Sequence, residues 1–412
     1  MGQADRKAGS TRWRPGHRGT NAICLLFAAV WLAYAAGTAA NYATQPGDSL
    51  FPDFFGLWSY GRFALSHPAS DIYRAGDIIS FQHGLAPSLP EGHGYPFPYP
   101  PTFLLALAPL GALPYAVARA AFLAATFPLF LLAVGMRAPS QLLVAAAAAA
   151  PVTAVVMCSG QSGFLAAALL VGGLALAPGR PLAAGILLGL LTYKPQLGIL
   201  VPFALVGAGY WRAGAVAGLT AMAMAAAATA AFGWGMWAAW LGSLAGFVSS
   251  VDASGTGLDR IMPTVSGAMR LLGAGTAATA CVQAASSAAM AAWVWSVARR
   301  EPDRVAMTVL PAATFLATPY AFVSDMTLVV AAALAVIGDA MRERDSFHLA
   351  EVAALAAALS APVFMLSPAT AGFPCALLSV CLLLAVSANR IRRRARGASP
   401  AQSPLDAGGP TV

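Results

Sequence analysis

The stretch SLFPDFFGLWSYGRFALSH, residues 49–67, sets one carboxylate, Asp53, between a proline and two phenylalanines, with Trp58, Tyr60 and Arg62 close behind. Three more polar side chains break apolar runs: Gln161 in MCSGQSGFL, Lys194 in LLGLLTYKPQLGILVPF and Asp325 in TPYAFVSDMTLVV. These are residue types suited to proton and phosphate chemistry. A carboxylate accepts a proton or a hydrogen bond, an amide plays both halves of a hydrogen bond, and an ammonium holds a phosphate. Each also has a plainer role. Asp53 after Pro52 suits a helix N-cap, and Asp325 suits the positive end of a helix dipole. Gln161 suits a helix end, and Lys194 can snorkel to an interface beside Pro195, which stops a helix. Arg260, in GLDRIMP, reads as a solvated loop charge. A charge within an apolar run is costly in lipid, so such residues usually face a protein-lined cavity.

The chain that must position these residues is built for lipid. Of its 412 residues, 58% are hydrophobic and 10% charged. An ordinary soluble domain carries about 25% charged residues, so this chain could not cover a water-exposed surface. The net charge of +8 does not point to nucleic acid, because the basic residues gather at the ends. Arg6, Lys7, Arg12, Arg14 and Arg18 precede the first apolar run; Arg390, Arg392, Arg393, Arg394 and Arg396 follow the last. Such clusters stay on the cytoplasmic face during insertion, which predicts both termini inside and an even number of spans.

Apolar runs fall at 20–41, 115–136, 140–158, 162–178, 181–194, 196–210, 212–232, 275–298, 304–319, 322–341, 348–366 and 371–388. They predict an all-α, polytopic transmembrane helical bundle of about 12 spans. The first run follows a basic segment as in a signal peptide, but its length favours an uncleaved span. Residues 101–113 suit half a span, a re-entrant helix, or a helix broken at Pro109 and Pro114. If Arg137, Arg180, Arg212, Arg299, Arg300, Arg342 and Arg344 are cytoplasmic, then Asp53 shares the outer side with 159–163, 193–196, 233–274 and 317–325. The expected organisation is a basic cytoplasmic tail, 1–19; a membrane domain, 20–388; and a basic, disordered cytoplasmic tail, 389–412. The membrane domain carries two large outer segments, 43–100 and 233–274. Within the first, residues 53–65 suit an amphipathic helix along the interface. Its end, HGYPFPYPP, forbids helix through Pro96, Pro98, Pro100 and Pro101. The five cysteines lack CxxC spacing, and His67, His83 and His93 lack HxxxH spacing, so no metal site is expected.

Several stretches in order, PDFFGLWSYGRFAL, YPFPYPPTFLLALAPLGALP, GQSGFLAAALLVGGLAL, RPLAAGILLGLLTYKPQLGILVPFAL with YWRA, and ATPYAFVSDMTLVV, resemble glycosyltransferase family 87 over most of residues 20–390. The resemblance implies a bundle of GT-C type, a polyprenyl-phosphate-linked sugar donor with mannose foremost, a lipid or glycan acceptor, and inverting transfer at the extracytoplasmic face of a bacterial plasma membrane. It implies Asp53 as general base. Some GT-C members carry tandem acids at this position; here the neighbours are Pro52 and Phe54, so metal-independent chemistry without a cofactor is expected. Lys194 is then the first candidate for the donor phosphate, with Arg62 and Arg260 behind it. Gln161 and Asp325 would bond sugar hydroxyls, and Trp58, Tyr60, Tyr95 and Tyr99 offer flat faces to sugar rings. Two other classes compete. A secondary transporter would show two similar halves and midplane charges, neither of which is found; a non-catalytic lipid-binding subunit of the same fold would lack a working Asp53.

Overall fold

The computed structural model describes residues 12–13, 53–252, 258–302, 308–370 and 372–397. The predicted span at 20–41, the rest of the N-terminal tail and the tail beyond 397 lie outside these residues. A two-residue antiparallel pairing joins β1, Arg12–Trp13, to β2, Phe347–His348. The other regular elements described are helical.

Helix α1, Phe54–Ser66, and helix α2, Ala75–Leu85, lead into the extended proline-rich segment. Expected as an interfacial helix, α1 instead packs into protein, burying Phe54, Phe55, Leu57, Tyr60 and Phe63 and exposing Leu65. A short 3-10 turn, Pro101–Phe103, continues into α3, Leu104–Gly111, which packs on α1. At about 1.5 Å per residue, α3 is too short to cross a bilayer. Pro114 then starts α4, Tyr115–Gly135, a full-length apolar span. Next come α5, Gln141–Ala148, and α6, Pro151–Ser159, which meet at a 49° bend. The apolar helices α7, Gly163–Leu176, and α8, Pro181–Leu190, are shorter, as is α9, Val201–Gly207. Proline at the first turn of α6, α8 and α9 supplies a pre-set φ where the missing N–H costs nothing.

The second half holds α10, Trp211–Phe232; α11, Gly235–Asp252; α12, Val265–Leu271; α13, Thr276–Ala298; α14, Leu310–Ala317; α15, Thr327–Glu343; α16, Leu349–Leu366; and α17, Cys375–Gly397. A 3-10 turn, Val323–Met326, runs directly into α15. Among the described residues, six helices are long and apolar enough to cross a membrane, or seven counting the bent α5–α6 pair. The chain is therefore an all-α membrane protein. The helices that stop short are informative, because their ends converge.

Two ends of the bundle differ in chemistry. Helix α4 begins at Tyr115, against Phe54, and Arg137 lies just beyond its other end, where Arg342 donates to the Arg137 carbonyl. Helix α15 begins beside Asp325 and finishes beside Arg342 and Arg344. Arg180 and Arg212 line one surface cavity, at the far end of α7 and the start of α10. Arg390 reaches Asp345 at 2.7 Å beside β2. Asp53 and Asp325 thus lie at one end of α4 and α15, and these arginines mark the other.

Candidate active site

Turn 159–163, SGQSG, is the hub of the acid-bearing end. At its first glycine, Gly160, the backbone takes a left-handed φ of 71°. A Cβ there would lie 2.5 Å from Phe54 Cβ, so the turn packs directly on the residue after Asp53. At its second, Gly163, a Cβ would lie 2.0 Å from the Ser324 carbonyl oxygen, and the Gly163 carbonyl accepts from Thr327 Oγ1 at 3.0 Å. That contact brings in Asp325. The Ser162 carbonyl accepts from the Tyr193 hydroxyl at 3.1 Å, which brings in Lys194. Three breaks far apart in sequence are therefore fastened to one five-residue turn.

Asp53 stands at the N-terminus of α1, yet its side chain caps no backbone N–H there. The Gln161 side chain lies toward its carboxyl instead and favours the charged form. Gln161 Oε1 accepts from the Ser162 N–H at 3.2 Å, which leaves the amide nitrogen to donate. Gln161 and the charges of Lys194, Asp325 and Asp53 all act on the Tyr99 hydroxyl, which places Tyr99 among them. Although Asp53 is partly exposed, protein encloses most of its surroundings. Burial pushes its carboxyl above the ordinary carboxylate range, while the Gln161 side chain and the nearby charge of Lys194 pull it back.

Lys194 Nζ donates to Asp325 Oδ1 at 2.7 Å, with both side chains buried. The other oxygen of Asp325 accepts from the Phe322 N–H at 3.2 Å, so the acid both holds its 3-10 turn and neutralises the lysine. Above this pair lies a cavity of about 200 Å³, lined by Tyr99, Lys194, Trp240, Phe247, Tyr320 and Asp325 among others. It is a small, largely aromatic chamber with a buried ion pair in its wall.

Of the residues singled out in the sequence, the structure brings together Asp53, Gln161, Lys194, Asp325 and Tyr99. Tyr60 borders Asp53, but its ring is buried edge-on against Phe97 and its hydroxyl donates to the Pro96 carbonyl at 2.8 Å. Trp58 donates to the Leu113 carbonyl at 2.9 Å and packs on Tyr115. Arg62 lies 5.5 Å over the Trp58 ring. Arg260 is exposed on the 3-10 turn Leu258–Ile261. Neither arginine lines the cavity; Asp53 and Gln161 also lie outside its lining, and the charge of Lys194 acts on Asp53 from its wall. Among the described residues, no three His, Cys, Asp or Glu side chains gather as a set of metal ligands.

Of the aromatic wall, the sequence marks Tyr99 but not Trp240, Phe247 or Tyr320. Trp240 and Phe247 sit on α11, within the stretch read simply as a large outer segment. Their spacing with Trp237 and Leu244, at intervals of three and four residues, was the available signal. Trp240 Nε1 donates to the Pro98 carbonyl at 3.4 Å, joining α11 to the proline-rich segment. Tyr320 lies in ATPYAFVSD, where nothing local marks its ring as a cavity wall.

The family model described as glycosyltransferase family 87 matches residues 97–319, just over half of the chain. Tyr99, Gln161, Lys194, Trp240 and Phe247 fall inside that range; Asp53, Tyr320 and Asp325 fall outside it. No curated protein and no solved structure matches.

Proposed function

The chain belongs to glycosyltransferase family 87, and from that premise we propose that it moves a hexose, mannose foremost, from a polyprenyl-phosphate donor to a lipid or glycan acceptor, with inversion at the anomeric carbon. That it is a membrane glycosyltransferase follows from the family and the apolar helices. The observation that carries the finer reading is Asp53: a carboxyl at a helix start that leaves the helix uncapped and has Gln161 and the charge of Lys194 nearby.

In this reading Asp53 takes the proton of the acceptor hydroxyl as its oxygen attacks the anomeric carbon. The bond from that carbon to the phosphate oxygen breaks, and polyprenyl phosphate departs with the electron pair. Lys194, with one N–H engaged by Asp325, turns its remaining donors to the charge gathering on the phosphate. Arg62 and Arg260 lie away from the cavity, so the phosphate role rests on Lys194. Gln161 orients the base, while Tyr99, Trp240 and Tyr320 offer ring faces to the sugar. The chemistry is read as metal-independent, with EDTA expected to leave it unchanged. Because the site and the arginine-marked end lie at opposite ends of α4 and α15, arginines retained in the cytoplasm turn the site outward.

The test uses membranes containing the full chain, supplied with labelled polyprenyl-phosphate mannose or with GDP-mannose. Transfer from the lipid donor, lost in Asp53→Asn although the variant inserts normally, supports the reading. Equal transfer by both proteins removes Asp53 as the base and passes the role to Asp325. Transfer from GDP-mannose alone overturns the lipid donor.

A further inference from the structure

Helix α4 is an apolar span, yet it carries a guanidinium one turn from its start. Arg119 Nη2 donates to the Met157 carbonyl and to the Cys158 carbonyl, both at 2.9 Å. These oxygens belong to the last turn of α6, where carbonyls have no partner within the helix and the dipole is negative. Two and three residues beyond them stand Gly160 and Gln161. An arginine in an apolar span is costly unless its partners need it, and here the partners are backbone atoms at the edge of the catalytic turn.

The same stripe of α4 grips the other half of the contact. Tyr115, Arg119 and Phe122 recur at intervals of four and three residues, hence on one helix face. The ring of Phe54, next to Asp53, lies 5.8 Å from that of Tyr115 and 5.6 Å from that of Phe122. One face of one helix therefore holds the residue after Asp53 and the helix end before Gln161, and Gly160 closes the gap between them.

We propose that Arg119 is a positioning residue: by holding the C-terminus of α6, its guanidinium sets where the Gln161 amide meets the Asp53 carboxyl. The geometry stands without the glycosyl-transfer reading; its consequence for catalysis rests on Asp53 being the base. Removing the Gln161 donor takes away a group that favours the charged carboxylate, so the proton is then held more tightly. The other charged or titratable groups facing Asp53 are Lys194 at the break after α8, Tyr60 on α1 and Tyr99 in the extended segment.

The experiment reads the Asp53 proton directly. Dicyclohexylcarbodiimide modifies a protonated carboxyl, and its reaction at Asp53 is followed by peptide mass spectrometry against pH in the full-length protein. The forms compared are wild type, Arg119→Met, Arg119→Lys, Gln161→Leu and the Arg119→Met/Gln161→Leu double variant, with Asp53→Asn as background. The expected result is a labelling midpoint moved to higher pH by the same interval in Arg119→Met and Gln161→Leu. The double variant moves no further, and Arg119→Lys falls between Arg119→Met and wild type. A wild-type midpoint in Arg119→Met, or a double variant that shifts by the sum, overturns the proposal. So does an Asp53 whose reactivity is the same in every variant. If Arg119→Met fails to insert, Arg119→Lys set against Gln161→Leu decides the same question on a smaller shift. In the lipid-donor assay Arg119→Met lowers kcat on the order of 10- to 100-fold with KM little changed. Full transfer by Asp53→Asn would sink the base assignment while leaving the labelling result standing.

Discussion

At the scale of single residues, what separates Asp53 from an ordinary helix cap is the direction of its bond. An Asp after a proline normally accepts from its own helix; here the helix start goes without, and the acid meets an amide from turn 159–163. Burial holding the carboxyl above its ordinary range sets the sign of a pH effect. A general base must be ionised, so kcat/KM falls as pH drops through that raised value. The acid limb of the pH profile is expected above the ordinary carboxylate pKa of about 4, and a limb at or below it would contradict the assignment. Lys194 and Asp325 make a different prediction, because each neutralises the other out of water. Lys194→Ala leaves a buried carboxylate unpaired and is expected to cost about 3–5 kcal/mol of stability. Replacing both, as Lys194→Met with Asp325→Leu, recovers most of that in thermal unfolding while abolishing transfer. Stability unchanged in the single variant would show that the pair is well solvated.

At the scale of elements, the site is made where helices stop. Helix α6 ends the bent α5–α6 pair, α7 and α8 are too short to span, and their ends supply Gln161 and the approach to Lys194. Broken helices expose unpaired backbone groups, which is tolerated in a membrane protein where they are buried in protein or line a cavity. Here Arg119 and Thr327 satisfy part of that need at turn 159–163. Gly163→Ala tests how much depends on close approach, since its Cβ would collide with the Ser324 carbonyl. The expected cost is about 1–3 kcal/mol, with a drop in transfer larger than the stability loss explains, because the turn carries Gln161 and abuts Asp325. An active, fully stable variant would show that the α7 start can slide without disturbing the site.

At the scale of the whole molecule, Asp53 and Asp325 at one end of α4 and α15 and the arginine cluster at the other give the bundle a polarity. In a cysteine-free background, Glu91→Cys beside the proline-rich segment should react with a membrane-impermeant maleimide in intact cells. Arg180→Cys should react only after lysis, and the reverse pattern would place the site in the cytoplasm. The class of the molecule was legible in the sequence, because few charges among many apolar residues leave lipid as the only suitable solvent. Asp53, Gln161, Lys194 and Asp325 were legible as candidates, since polar groups at breaks in apolar runs stand out by their cost. The aromatic wall beyond Tyr99 was not, because Trp240 and Tyr320 look like any membrane aromatic until a cavity opens beside them. Nor was the pairing of Lys194 with Asp325, 131 positions apart, or the hold of Arg119 on α6. Composition and local cost are properties of one stretch of chain. Which break faces which is decided by helix packing, and only the tertiary structure joins them.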